Sequence, residues 1–127
     1  EHGVDENTCV GNKLIKNVNI GDIIDNSIVL GKIKIDAKKL DIYTYRNKYI
    51  LSGNVKVNEK DLWINIKDSI YSKKYDNYPK KFIYHLITSN EKIILNNSLE
   101  ICDYLEVHNK ETNETIDTLV TQFYNSN

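Results

Sequence analysis

Apolar and polar positions alternate with a period of two along most of the chain, and the alternation is broken every eight to twelve residues by short polar clusters. Val18 and Ile20 alternate ahead of Gly21-Asp22, and Ile28-Val29-Leu30 runs through Gly31 into Ile33 and Ile35. Ile42, Tyr43 and Tyr45 stop at Arg46-Asn47-Lys48, and Tyr49-Ile50-Leu51 leads through Ser52-Gly53-Asn54 to Val55 and Val57. Asn58 to Asp61 turns the chain into Leu62-Trp63-Ile64-Asn65-Ile66. Strands resume at Phe82 to Ile87, then at Ile93 to Leu95, Leu99 and Ile101, with turns at Ser89-Asn90-Glu91 and Asn96-Asn97. Side chains of a strand point to opposite faces in turn, so β-branched and aromatic residues at this rhythm predict many short, half-buried strands. The expectation is an all-β barrel or sandwich-like body. The polar stretch from Asp68 to Lys81, which holds the one proline, Pro79, reads as an exposed loop.

The period changes only in the tail. Ile116, Leu119, Val120 and Phe123 follow i, i+3, i+4 and i+7 spacing, which puts one apolar stripe on a short amphipathic helix, with Thr112 or Asn113 as N-cap. The chain therefore divides into a β domain over 1–106 and a linker with a short helix over 107–127.

At 127 residues the chain is one domain by length. Its 17 basic and 18 acidic residues leave a net charge of -1 and no field to concentrate polyanions, which argues against nucleic-acid binding. Cys9 and Cys102 are too few for a disulfide framework and lack zinc-type spacing. No apolar stretch approaches the roughly 20 residues that span a bilayer, and no signal-peptide pattern opens the chain. These features predict a soluble monomer of a reducing compartment, with the cytoplasm as the expected location and without metal or cofactor. His2, Asp5 and Glu6 read as a solvated cluster rather than a metal site. Trp63, between Leu62 and Ile64, reads as a core anchor.

Four stretches, in order, resemble Hint (hedgehog/intein) autoprocessing domains, particularly the small hedgehog-like ones of large DNA viruses and protists. The first is Val4 to Thr8 followed by Lys13 to Asp22, with its Ile-Gly-Asp turn; the second is Val29-Leu30-Gly31 and its strand. The third runs from Tyr49 to Val57 and closes in Leu62 to Ser69, similar to the family's Thr/Ser-x-x-His block and its Trp-containing strand. The fourth, Ile83 to Thr88 through Ile101 to Tyr104, is similar to the closing hairpin. The resemblance implies a pseudo-twofold horseshoe of β-hairpins. It also implies a chain whose first residues come to rest beside Ser52-Gly53-Asn54-Val55.

Hint domains rearrange the peptide bond just before their first residue. A Cys or Ser attacks the preceding carbonyl, a His protonates the departing nitrogen, and a Thr or Ser hydroxyl helps hold the strained bond. An amide is a poor electrophile with a poor leaving group, so nucleophile, proton donor and carbonyl polarisation must converge. Carried over by position, the nucleophile falls on Gly3, the hydroxyl on Ser52 and the His on Val55, with Asn54 inside the same block. Glycine cannot attack and valine cannot transfer a proton, so the chain is expected to be inactive as it stands, whether by engineering or by natural loss. Its partner would be its own upstream segment, in cis. The alternative is a non-catalytic β-rich interaction module, or an unrelated β-barrel binding a peptide or sugar.

Other positions carry candidate chemistry. Cys9 is either a late-placed nucleophile or a half-buried strand cysteine, and Cys102 either a partner of the nucleophile or a small core residue. His85 sits where intein-type members carry an assisting acid or His; as a lone strand His it is expected half-exposed. His108-Asn109 and Asn127 lack the flanking pattern that a cyclising Asn requires, so splicing is not expected.

Overall fold

A computed structural model of the chain describes residues 1–106. The helix expected over Ile116 to Phe123, its lead-in, and the His108-Asn109 and Asn127 positions lie outside the described residues.

The body is all-β, built of two curled antiparallel sheets. The strands are β1 (Val4–Asp5), β2 (Cys9–Val10), β3 (Lys13–Leu14), β4 (Ile23–Ile24), β5 (Ser27–Asp36), β6 (Ile42–Tyr45), β7 (Tyr49–Ser52), β8 (Lys56–Glu59), β9 (Leu62–Asn65), β10 (Ser72–Lys74), β11 (Phe82–Thr88), β12 (Lys92–Leu95) and β13 (Leu99–Cys102). One sheet runs β10-β6-β7-β1-β11-β5-β4 and the other β3-β2-β12-β13-β8-β9. Three short 3-10 turns, at Ile15–Asn17, Ala37–Lys39 and Ile66–Asp68, connect strands. Among the described residues, no helix is long and apolar enough to cross a membrane.

The hairpins turn where the polar clusters stand. Asp25-Asn26, Arg46-Asn47, Lys60-Asp61 and Asn96-Asn97 each adopt positive φ, the backbone that short hairpin loops need and that Asn and Asp tolerate best. Between the turns, inward residues of both sheets build one core: Val4 and Leu51 from the first sheet meet Val57, Leu95 and Ile101 from the second. A fully buried side chain such as Leu51 or Ile101 contributes roughly 1.5–3 kcal/mol through the water it sheds. A smaller cluster of Ala37, Ile42 and Ile83 sits apart from it.

Three local readings of the sequence are corrected. The stretch from Asp68 to Lys81 contains a strand, β10, whose Ser72, Lys73 and Lys74 pair with Tyr45, Thr44 and Tyr43; an edge strand can be polar because only one of its sides is covered. Trp63 is only half-buried, on the edge strand β9, with the Lys92 ammonium 5.9 Å from its ring. Ile20 is exposed in a turn rather than paired in a strand with Val18.

Topology positions the site. β1 is the central strand of its sheet, with Val4 paired to Leu51 of β7 on one side and Tyr84 of β11 on the other. Residues just before β1 therefore run between the end of β7 and the middle of β11.

Candidate functional site

Ser52 ends β7 and is buried, and the chain then turns through Gly53 and the exposed Asn54 to the buried Val55. The turn is closed by the Val55 N–H on the Ser52 carbonyl at 3.2 Å. It is clamped from outside by the Gly53 N–H on the Asp41 carbonyl at 3.0 Å and the Lys67 N–H on the Gly53 carbonyl at 3.0 Å. Gly53 is needed there, since a Cβ would lie 2.8 Å from the Tyr43 ring and 3.0 Å from Lys67 Cβ.

Gly3 lies against this turn. Its N–H donates to Ser52 Oγ at 2.9 Å, and its carbonyl accepts the Ser52 N–H at 2.9 Å. On the other side a Cβ at Gly3 would meet Ile83 Cγ2 and stand 2.7 Å from the Tyr84 carbonyl oxygen. Of the expected site, Gly3 and Ser52 are thus in direct contact. Val55 follows on the same turn, but its side chain belongs to the main apolar core. Asn54 faces a shallow groove of about 180 Å3 that Glu1, Ser52 and Lys67 also line.

His85 is fully buried, not half-exposed, and the rings of His2 and Tyr104 pack against its own. Its Nδ1 accepts the Leu86 N–H at 2.9 Å, and its Nε2 is buried without a partner. His2, read from the sequence as solvated, instead packs into the same place. Its ring centroid is 5.0 Å from that of His85 and 4.8 Å from that of Tyr104, and its Nδ1 is likewise buried without a partner. Burial, then the positive amino group at the start of the chain and Lys56, lower the His2 pKa to about 4. Burial, helped by His2, holds His85 well below its ordinary value. Both rings are therefore neutral at neutral pH.

Tyr104 is held in place by its neighbour Asp103. That carboxylate accepts the N–H groups of Thr88, Leu105 and Glu106 at 2.9, 3.1 and 2.9 Å, and the Tyr104 N–H reaches the Leu86 carbonyl at 2.8 Å. Burial raises the Asp103 pKa against those three donors.

Cys102 is buried on β13 of the second sheet, and burial pushes its thiol up to about 12, so it stays protonated and weakly nucleophilic. Cys9 is half-buried on β2. Asp5 turns away from His2 and binds the Tyr78 hydroxyl and Lys80 Nζ, the latter at 3.0 Å, while Glu6 pairs with Lys16 at 3.5 Å. Among the described residues no group of three His, Cys, Asp or Glu side chains is placed to hold a metal ion.

His2 and Tyr104 are the members sequence reasoning missed. Neither stands in a strand, so alternation places neither of them. The chain matches no family model, no curated protein and no solved structure.

Proposed function

We propose that this chain is a Hint-type autoprocessing domain, a pseudo-twofold arrangement of β-hairpins with a short C-terminal helix, that holds its own upstream segment in the cleavage position without cutting it. The observation that carries the reading is the pair of hydrogen bonds between Gly3 and Ser52. They set a buried hydroxyl 2.9 Å from the nitrogen of the His2–Gly3 peptide bond. Ser52 accepts the amide proton there, which steadies the bond. Cleavage would need a nucleophile to attack the His2 carbonyl carbon, forming an ester or thioester as the C–N bond breaks, and an acid to deliver a proton to the departing nitrogen. Gly3 supplies no nucleophile and Val55 no proton.

The test is a fusion carrying a marker segment ahead of residue 1, followed by intact-mass analysis with and without added thiol. The native sequence stays whole in both. Gly3→Cys with Val55→His, and with Ile83→Ala to relieve the side-chain part of the crowding at position 3, releases the marker when thiol is added. A folded triple variant of unchanged mass overturns the reading.

The close approach of Gly3 to the Tyr84 carbonyl favours a second reading, in which the scaffold serves packing or protein contacts alone. Glycine is then the residue this sheet is built around, and a gene encoding glycine at position 3 supports that view.

A further inference from the structure

We propose that the apolar surface made by Leu62, Ile70 and Tyr71, beside Arg46, is the docking site of the chain's own last segment, residues 107–127. The inference stands apart from the autoprocessing reading and holds or fails without it.

Single exposed apolar side chains need no explanation, but a cluster of them marks a contact surface. Leu62 is 68 % exposed and Ile70 88 %, and both adjoin Glu59. Leu62 of the edge strand β9 stands opposite Glu59 of β8, so the two side chains share one face of the hairpin. The Glu59 carboxylate accepts the hydroxyls of Tyr45 and Ser69, each at 2.6 Å, and Ser69 Oγ accepts the Tyr71 N–H at 3.1 Å. Ile70 lies between those last two. Arg46 closes the group: its N–H donates to the Tyr71 carbonyl at 3.0 Å, and its guanidinium carbon is 3.8 Å from the Tyr71 ring centre. These bonds set the shape of the surface before anything covers it, which lowers the cost of docking.

The sequence of residues 107–127 matches this surface in two ways. Its apolar stripe, Ile116, Leu119, Val120 and Phe123, needs an apolar face to cover it. Its charge is acidic, with Glu111, Glu114 and Asp117 against Lys110. The Leu62–Ile70 surface leans the other way, with Arg46, Lys60 and Lys73 against Glu59 and Asp61. The other exposed apolar group, Ile20, Ile23 and Ile28, is flanked by Asp22 and Asp25 against Lys13, the wrong sign for an acidic segment.

The reach is sufficient. Ile101 pairs with Val57 in antiparallel fashion, so β13 ends beside the Lys56 end of β8 and the chain passes on to Glu106 from there. From Lys56 to the Glu59 end of β8 is roughly 13 Å. Residues 107–115 span up to about 30 Å when extended, so Ile116 arrives at Leu62 with slack.

The test uses the whole 127-residue chain with photoreactive p-benzoylphenylalanine in place of Ile70, irradiated when dilute and mapped by peptide mass spectrometry. The expected product is a cross-link within one chain to residues 107–127. Leu119→Asp with Phe123→Asp lowers its yield by about tenfold or more, as the loss of two apolar anchors requires. The same probe in place of the similarly exposed Ile23 gives little of it. Circular dichroism of each variant shows that the β body stays folded. A cross-link that joins two chains overturns the proposal and gives the surface to a second copy. Absence of the product overturns it too. So does a yield unmoved by the tail substitutions or matched from position 23, which is the signature of a tethered segment that collides without docking.

Discussion

Gly3 and Ser52 exchange two hydrogen bonds, one from the Gly3 N–H to the Ser52 hydroxyl and one from the Ser52 N–H to the Gly3 carbonyl, each 2.9 Å long. Ser52→Ala leaves the second intact and strips the buried Gly3 N–H of its acceptor. The expected loss is about 1–3 kcal/mol, the cost of an unpaired buried donor, read from denaturant unfolding. Ser52→Thr keeps the hydroxyl and loses less.

Gly3→Ala meets the opposite problem. Its Cβ would stand 2.7 Å from a backbone oxygen that cannot rotate away, so β1 must shift. Overpacking of this kind costs about 1–3 kcal/mol. A thermal midpoint equal to that of the native protein would show that β1 has slack that the packing does not reveal.

Stability depends on pH through the two buried histidines. Their folded pKa values lie below the ordinary 6.5, so between pH 6.5 and about 4 the unfolded chain binds protons that the folded one refuses. Stability is full above pH 6.5 and is lost as the pH falls toward 4, by on the order of 3 kcal/mol for His2 alone. Asp103 acts in the reverse sense, since its raised pKa favours the folded state in acid. Comparing the native protein with the double variant His2→Phe, His85→Phe isolates the histidine contribution: the slope between pH 6.5 and 4 flattens.

Tyr78 and Lys80 tie the 75–81 segment to Asp5 of the central strand. Burial and the Asp5 carboxylate hold the Tyr78 hydroxyl protonated far into alkali. Tyr78→Phe removes the hydroxyl from a carboxylate that keeps Lys80 and the Asn7 N–H, so the fold survives with a loss of about 1 kcal/mol. Limited proteolysis between Lys74 and Lys81 then runs faster; an unchanged rate would mean that Pro79 and its neighbours hold the segment by themselves.

Cys102 and Cys9 differ in reach. Burial and a thiol held near 12 keep Cys102 unalkylated by iodoacetamide at pH 8 in the native protein, while half-buried Cys9 reacts first. Peptide mass spectrometry after a timed quench gives the order, and unfolding in denaturant makes the two equal.

The strands and hairpins were legible because period-two alternation and Asn-bearing turns are local signals, and Arg46-Asn47-Lys48 and Asn96-Asn97 carry them in the sequence itself. β10 was not: Ser72, Lys73 and Lys74 have no apolar face, and only pairing with β6 makes them a strand. The contact of Gly3 with Ser52 was legible only through likeness to a family, because no property of either residue announces a partner 49 positions away. His85 was misread for a related reason. Whether a polar strand residue is buried depends on what packs on its face of the sheet, and here His2 and Tyr104 come to His85 from segments far apart in the chain. His2 is hidden from the sequence in the same way, since its neighbours in space, His85 and Tyr104, lie far along the chain.

The central place of β1 has a consequence for how the protein comes into being. Val4 is synthesised before the strands that receive it, which contain Leu51 and Tyr84, the latter eighty residues downstream by the numbering of that pair. Until both have emerged there is no slot to fill, and closing so long a span is among the slowest steps available to a small β-protein. Whatever is attached ahead of residue 1 is brought against the body only once both neighbours of β1 are there to receive it.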